Sequence, residues 1–335
     1  MPLIEKSSFP GPPFWQFNGH LQTLAPGILR RVKGVDYQRE RIETPDGDFL
    51  DLDWLRHNNR RLVILTHGLE GSSAGQYIRG TARLFVQNGW DALAWNCRSC
   101  SGEMNRHFRM YHHGDTEDIG TVIRHALAAG HYESIVLVGY SMGGNITMKY
   151  LGTQGADAPV EVKAGVAFSS PCDIAAGADV LDRWDNFIYK KRFMAFLSKK
   201  VRHKNRQFPG RLDVSKLKAI QRWHDFDEWF SAPISGYGSA GEFHRQASAK
   251  NFLEGIRVPT LLVSAVNDPI LTPECFPVEI ARTHQYFYFE LTPGGGHCGF
   301  RAKGDKDSSW SERRALEFCE QIRDADLADH ADFRG

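Results

Sequence analysis

Ser134-Ile135-Val136-Leu137-Val138-Gly139-Tyr140-Ser141-Met142-Gly143 decides the fold of this chain. The opening run is apolar and β-branched, as a strand buried on both faces requires. Gly144-Asn145-Ile146-Thr147-Met148-Lys149-Tyr150-Leu151, just beyond it, can begin a helix. G-x-S-x-G carries chemical meaning only in this strand–turn–helix setting. There the turn presses its serine into strained backbone geometry, and glycines two before and two after let the chain fold back without a Cβ clash. The Ser141 hydroxyl is then expected at the carboxyl edge of a sheet.

Outward from this stretch, strands and helices alternate. Expected strands are 61–66, 91–96, 134–138, 162–169, 258–265 and 285–291, with helices over 77–88, 115–129 and 309–323. Asp115 is the expected N-cap of the second of these helices. Residues 40–54 read as a hairpin, because alternating runs flank Pro45-Asp46-Gly47-Asp48. Such alternation predicts an α/β fold with a mostly parallel sheet covered by helices on both faces. It breaks between about 175 and 255, a helical stretch expected to lie over the sheet as an inserted lid. Residues 1–40, rich in Pro, Gly and aromatics, read as an extended arm pinned by aromatic anchors, and Asp324 to Gly335 as a frayed end. The whole is expected to be one domain.

Composition narrows the function. With 335 residues and 41% hydrophobic content, the chain can bury a substantial core, and a net charge of +1 excludes a global nucleic-acid signature. No window reaches the roughly 20 apolar residues of a membrane span, and Met1 to Lys6 do not open a signal peptide. Six scattered cysteines predict a reducing cytoplasm rather than a disulfide framework. Cys97-Arg98-Ser99-Cys100 has redox spacing but no second pair, and no local spacing assembles four zinc ligands.

Serine chemistry needs a base to take the proton and an acid to orient the base. Asp268 follows the strand at 258–265, and His297 follows the strand at 285–291 through Gly294-Gly295-Gly296. Both therefore leave the strand ends that converge with Ser141 on one sheet edge. Chain order, Ser141, Asp268, His297, is that of the nucleophile-elbow fold. Asp173 is a rival acid, after the 162–169 strand. His67 and His113 are rival bases, although His67 reads better as a residue that fixes the following loop. Backbone N–H groups of Leu69 and Met142 are the expected oxyanion donors.

These residues carry a resemblance to the α/β-hydrolase superfamily, and within it to the YheT-like hydrolases. It extends through Asn18-Gly19-His20-Leu21-Gln22-Thr23, His67-Gly68-Leu69-Glu70-Gly71-Ser72, Arg98-Ser99-Cys100-Ser101-Gly102-Glu103, Asp268-Pro269 and Gly295-Gly296-His297-Cys298-Gly299-Phe300. Ser99 stands where the family usually has Gly, which puts the geometry of that turn in question. The resemblance implies a hydrolase without a cofactor that acts on small carboxylic acyl esters. Thioester hydrolysis or acyl transfer could run on the same three residues, and a binding module with a silent site is the non-enzymatic alternative.

The lid adds a charge signal. Between Arg183 and His224 stand 13 Lys or Arg against two acids, a local net of +11, with Trp184, Phe187, Ile188, Phe193, Phe196 and Leu197 interleaved. An anionic lipid surface or an acidic acyl carrier would match it, and so would a solvated helix face balanced by acids elsewhere.

Overall fold

A computed structural model describes residues 2–332. Nine strands form one sheet: β1 (Leu3–Ile4), β2 (Gln38–Glu43), β3 (Phe49–Leu55), β4 (Arg61–Thr66), β5 (Asp91–Asn96), β6 (Ser134–Tyr140), β7 (Val162–Phe168), β8 (Thr260–Ala265) and β9 (Phe287–Thr292). Their spatial order is β1-β9-β8-β7-β6-β4-β5-β3-β2. Only β3 opposes the rest, pairing antiparallel with both β2 and β5. Helices follow as α1 (Gly19–Leu29), α2 (Gln76–Gln87), α3 (Thr116–Ala128), α4 (Met142–Gln154), α5 (Ile174–Leu181) and α6 (Phe187–Gln207), with a C-terminal helix over Trp310–Asp332.

The unbroken apolar runs of the central strands serve two cores. On β4 and β6, Leu62, Ile64, Ile135 and Leu137 face one layer. Val63, Leu65, Val136, Val138 and Tyr140 face the other. Successive strand residues point to opposite faces, so only a continuously apolar sequence satisfies both. Burying each such side chain contributes about 1.5–3 kcal/mol. Chain order reverses around β4, which lies between β5 and β6. The loops leaving the carboxyl ends of β4 and β6 therefore meet at a switch point, where α/β sheets place their sites.

Three expectations are corrected. First, the N-terminal arm is not extended throughout. Asn18 Oδ1 caps α1 by accepting from Leu21 N–H at 2.9 Å, and α1 runs on through Pro26 because its buried side packs against the site loops. Nor do Phe14, Trp15 and Phe17 anchor the arm, since all three are exposed; Phe9 does so, in the core. Second, Asp115 occupies the N-cap position of α3 without capping it. Its carboxylate is taken by Arg109 instead. Third, the C-terminal helix continues to Asp332 on helix-favouring alanines at 325, 328 and 331. Residues 333–335 lie outside the described residues. At the turn left in question, Ser99 adopts φ 65°, the left-handed conformation glycine favours. Its hydroxyl holds the turn by donating to Asn105 Oδ1 at 2.6 Å.

The stretch after β7 is helical, as expected. Two lysines of α6 fasten it to the body. Lys200 Nζ donates to Glu70 Oε1 at 2.8 Å and lies 3.2 Å from Cys100 Sγ. Lys204 is fully buried and donates to the carbonyls of Asn105 and His107 at 2.7 and 2.6 Å. Part of the lid charge is thus spent on internal contacts. All six cysteines are free thiols. Among the described residues no helix is long and apolar enough to cross a membrane.

Candidate active site

Ser141 sits alone between the end of β6 and the start of α4, with φ 54° and ψ −121°. A non-glycine residue held there stores about 1–3 kcal/mol of strain. Close packing imposes it: a Cβ on Gly139 would lie 2.2 Å from the Gly143 carbonyl oxygen, and one on Gly143 would lie 2.2 Å from that of Thr66. Ser141 N–H donates to Phe168 O at 2.8 Å, which locks the turn onto β7.

His297 Nε2 lies 2.8 Å from Ser141 Oγ. Its Nδ1 is 2.9 and 3.1 Å from the two oxygens of Asp268. A carboxylate only accepts, so Nδ1 carries the proton and Nε2 is free to accept from the serine hydroxyl. The Asp268 side chain is sealed from solvent, and its Oδ1 also accepts from Ile270 N–H at 2.9 Å. Burial, the largest single influence, would lower the imidazole pKa, but the charge and hydrogen bond of Asp268 together with the neighbouring Cys298 outweigh it and hold His297 well above its ordinary value.

The rivals lie elsewhere. Asp173 caps α5 through Ala176 N–H and pairs with Lys250. His67 Nδ1–H donates to Gly68 O at 2.8 Å, while Nε2 accepts from Cys97 N–H at 3.1 Å. It bridges the loops after β4 and β5, and burial pushes its pKa down to about 4. His113 is half-buried, desolvation lowers its pKa to about 4, and its carbonyl accepts from Asn145 at 2.8 Å.

The loop after β4 passes beside the serine: a Cβ on Gly68 would lie 3.2 Å from that of Ser141. Gly68 N–H donates to Tyr77 OH at 3.1 Å, and Glu70 N–H to Tyr111 OH at 3.0 Å. Among the described residues no protein acceptor takes the N–H of Leu69, between them, or that of Met142.

Sequence reasoning missed the residues that hold the Asp268 and His297 loops. Gln22 Oε1 accepts from Gly295 N–H at 2.6 Å and from Asn267 Nδ2 at 3.0 Å. Asn267 Oδ1 accepts from Gly296 N–H at 3.1 Å. Thr23 Oγ1 accepts from His297 N–H at 2.8 Å, and Ser169 Oγ from Cys298 N–H at 2.9 Å. A cap at Asn18 opening a helix was the available signal, but the surrounding prolines and glycines masked it.

Ser141 and His297 line a cavity of about 600 Å³, walled by Leu24 and Ile28 of α1 and by Ile188, Tyr189, Arg192 and Phe193 of α6. A second, narrow cleft of about 40 Å³ touches the same two residues from the side of Ile174, Ala178 and Leu181 in α5. The serine hydroxyl thus stands between a wide, largely apolar chamber and a tight apolar slot. Among the described residues, no group of three or more His, Cys, Asp or Glu could hold a metal ion.

A family model described as alpha/beta hydrolase fold matches residues 61–300. This chain belongs to the α/β-hydrolase family and is a hydrolase of that family. Within the family it is YheT-like, being 36% identical over 291 residues to the Escherichia coli (strain K12) protein named "Putative esterase YheT", with 84% of each chain covered. It is also 27% identical over 309 residues to Phospholipase ABHD3 of Mus musculus, covering 89% of this chain and 74% of that one. Among solved structures, the Pyrococcus furiosus esterase Pf2001 superposes with a TM-score of 0.58 at 16% identity, covering 96% of this chain and 100% of that one. That likeness concerns the fold.

Proposed function

We propose that this protein is a serine hydrolase that cleaves carboxylic esters through an acyl-enzyme. Ser141 Oγ attacks the ester carbonyl carbon while His297 Nε2 takes its proton. Asp268 orients the imidazole and stabilises the imidazolium that forms. The N–H groups of Leu69 and Met142 receive the negative oxygen of the tetrahedral intermediate. Collapse breaks the bond to the leaving alkoxide, which collects the proton from His297. Water, deprotonated by the same nitrogen, then attacks the acyl-serine; the serine leaves with the proton and the carboxylic acid is released.

The observation that carries this reading is the hydrogen-bonded run Ser141–His297–Asp268, opening onto a largely apolar cavity. The esterase and phospholipase names among its relatives fit an ester substrate. Turnover of p-nitrophenyl esters tests it together with fluorophosphonate labelling. Both are expected in the wild-type protein and absent in folded Ser141→Ala. Labelling that persists in that variant would remove Ser141 from the role. The charge of α6 fits either an acidic acyl carrier or an anionic lipid surface, and its exposed apolar side chains favour the lipid.

A further inference from the structure

We infer that the face formed by α1, the arm before it and α6 docks onto an anionic lipid bilayer, with the mouth of the Ser141 cavity at its centre. The mouth is located by two side chains. Ile28 of α1 and Ile188 of α6 both line the cavity, yet are 61% and 62% exposed. The cavity therefore opens to solvent between these two helices. They are also tied together below the mouth, where His20 Nδ1 lies 3.2 Å from Tyr189 OH.

Exposed apolar side chains concentrate on the elements that flank that opening. All the large exposed hydrophobics among the described residues, except Val160 and Val266, lie on α1, its preceding arm, or α6 and the turn leading into it. Phe14 and Phe17 stand 93% and 79% exposed on the arm side, and Trp184 and Phe187 stand 89% and 59% exposed on the α6 side. Aromatic rings so fully in water contribute nothing to folding. Carried by the two elements that flank one opening, they mark a surface that is covered by something apolar.

Charge selects what covers it. No acidic residue occurs between Lys6 and Asp36, nor between Asp185 and Asp213, so both flanks of the mouth are free of negative charge in sequence. Lys191, Arg192 and Lys199 are exposed on α6, and among the described residues no carboxylate pairs with them. Lys191 Nζ and the Arg192 guanidinium instead lie over the rings of Phe187 and Phe196, at 5.7 and 5.9 Å. Rings that can enter the acyl boundary beside cations that stay among headgroups are the composition of an interfacial helix. An acidic protein carrier would match the cations but has no use for Trp184 and Phe14 standing free. The positioning supplies a route as well: an acyl chain leaving the bilayer would pass between Ile28 and Ile188 into the apolar cavity.

The inference does not depend on ester cleavage, and the test uses the full chain carrying Ser141→Ala so that no lipid is consumed. Flotation is measured with phosphatidylcholine vesicles and with vesicles that also contain phosphatidylglycerol. Binding is expected only to the latter, weakened by added salt. It should fall by about tenfold or more in Trp184→Ser/Phe187→Ser and in Lys191→Glu/Lys199→Glu. None of these four residues lines the cavity, and circular dichroism confirms that the variants fold. Absence of flotation, equal recovery on neutral and anionic vesicles, or undiminished binding in both double variants overturns the inference.

Discussion

The Gln22 side-chain oxygen accepts the backbone N–H of Gly295 at 2.6 Å, two residues before His297 and 273 positions away in the chain. The same oxygen accepts from Asn267, next to Asp268, at 3.0 Å. One buried carboxamide in the first helix thus registers the His297 loop against the Asp268 loop. Gln22 itself lies outside the residues matched by the family model, which begin at 61. Backbone packing reinforces it. A Cβ on Gly19 would lie 1.9 Å from the Asn267 carbonyl oxygen, and one on Gly299 would lie 2.0 Å from that of Gln22.

Gln22→Ala should therefore lower kcat for a soluble ester by about 10- to 100-fold with little change in KM, because the imidazole is displaced rather than removed. Leaving the Gly295 and Asn267 donors unpaired should also cost about 1–3 kcal/mol of stability. Steady-state kinetics with thermal denaturation checks both. Unchanged kcat would show that the loop holds its place unaided.

Asp268→Asn should reduce kcat on the order of 10⁴-fold, since an amide permits the wrong imidazole tautomer. Asp173→Asn should leave kcat within about threefold, because Asp173 serves α5 and Lys250 rather than the imidazole. Parallel kinetics on the two variants decides between the acids.

The pH profile follows from His297. Its pKa is raised in the folded protein, and only the neutral ring can accept the serine proton. Ester turnover should rise with pH along a limb whose midpoint lies above the ordinary imidazole value near 6.5, and should still be rising at neutrality. Stability has the opposite sense. A raised pKa stabilises fully below the unfolded value, and that contribution is lost as pH rises through the folded value. Asp268→Asn should shift the limb to lower pH. A wild-type limb centred below pH 6.5 would contradict the electrostatic reading.

Ser141→Gly should be inactive yet more stable than Ser141→Ala, by about 1 kcal/mol or more, since glycine relieves the φ of 54° that alanine must still bear. By contrast, Gly143→Ala should fail to fold or melt far below wild type, with its Cβ 2.2 Å from the Thr66 carbonyl oxygen. Differential scanning calorimetry of the soluble variants provides the comparison.

Much was legible in the chain itself, because the signals were local and repeated. Strands β4 to β9 appear where largely apolar runs placed them, since a parallel sheet covered on both faces buries both sides of each strand. Ser141 could be read from two glycines and a strand. Asp268 and His297 could be read from strand ends that must converge once the sheet is parallel. Gln22 and Thr23 could not, because a hydrogen bond across more than 270 residues leaves no local pattern in either partner. The helix that carries them is also concealed by Pro26 and its glycines.

Charge shows the same division. The 13 cations between Arg183 and His224 were countable in sequence, but which of them are spent was decided only by packing. Lys200 and Lys204 turn inward to Glu70 and to backbone carbonyls, while Lys191 and Arg192 remain outside. Periodicity and turn chemistry are short-range and therefore written in order along the chain. The direction in which a long side chain points, and which distant loop it holds, depends on surfaces that exist only after the sheet has brought them together.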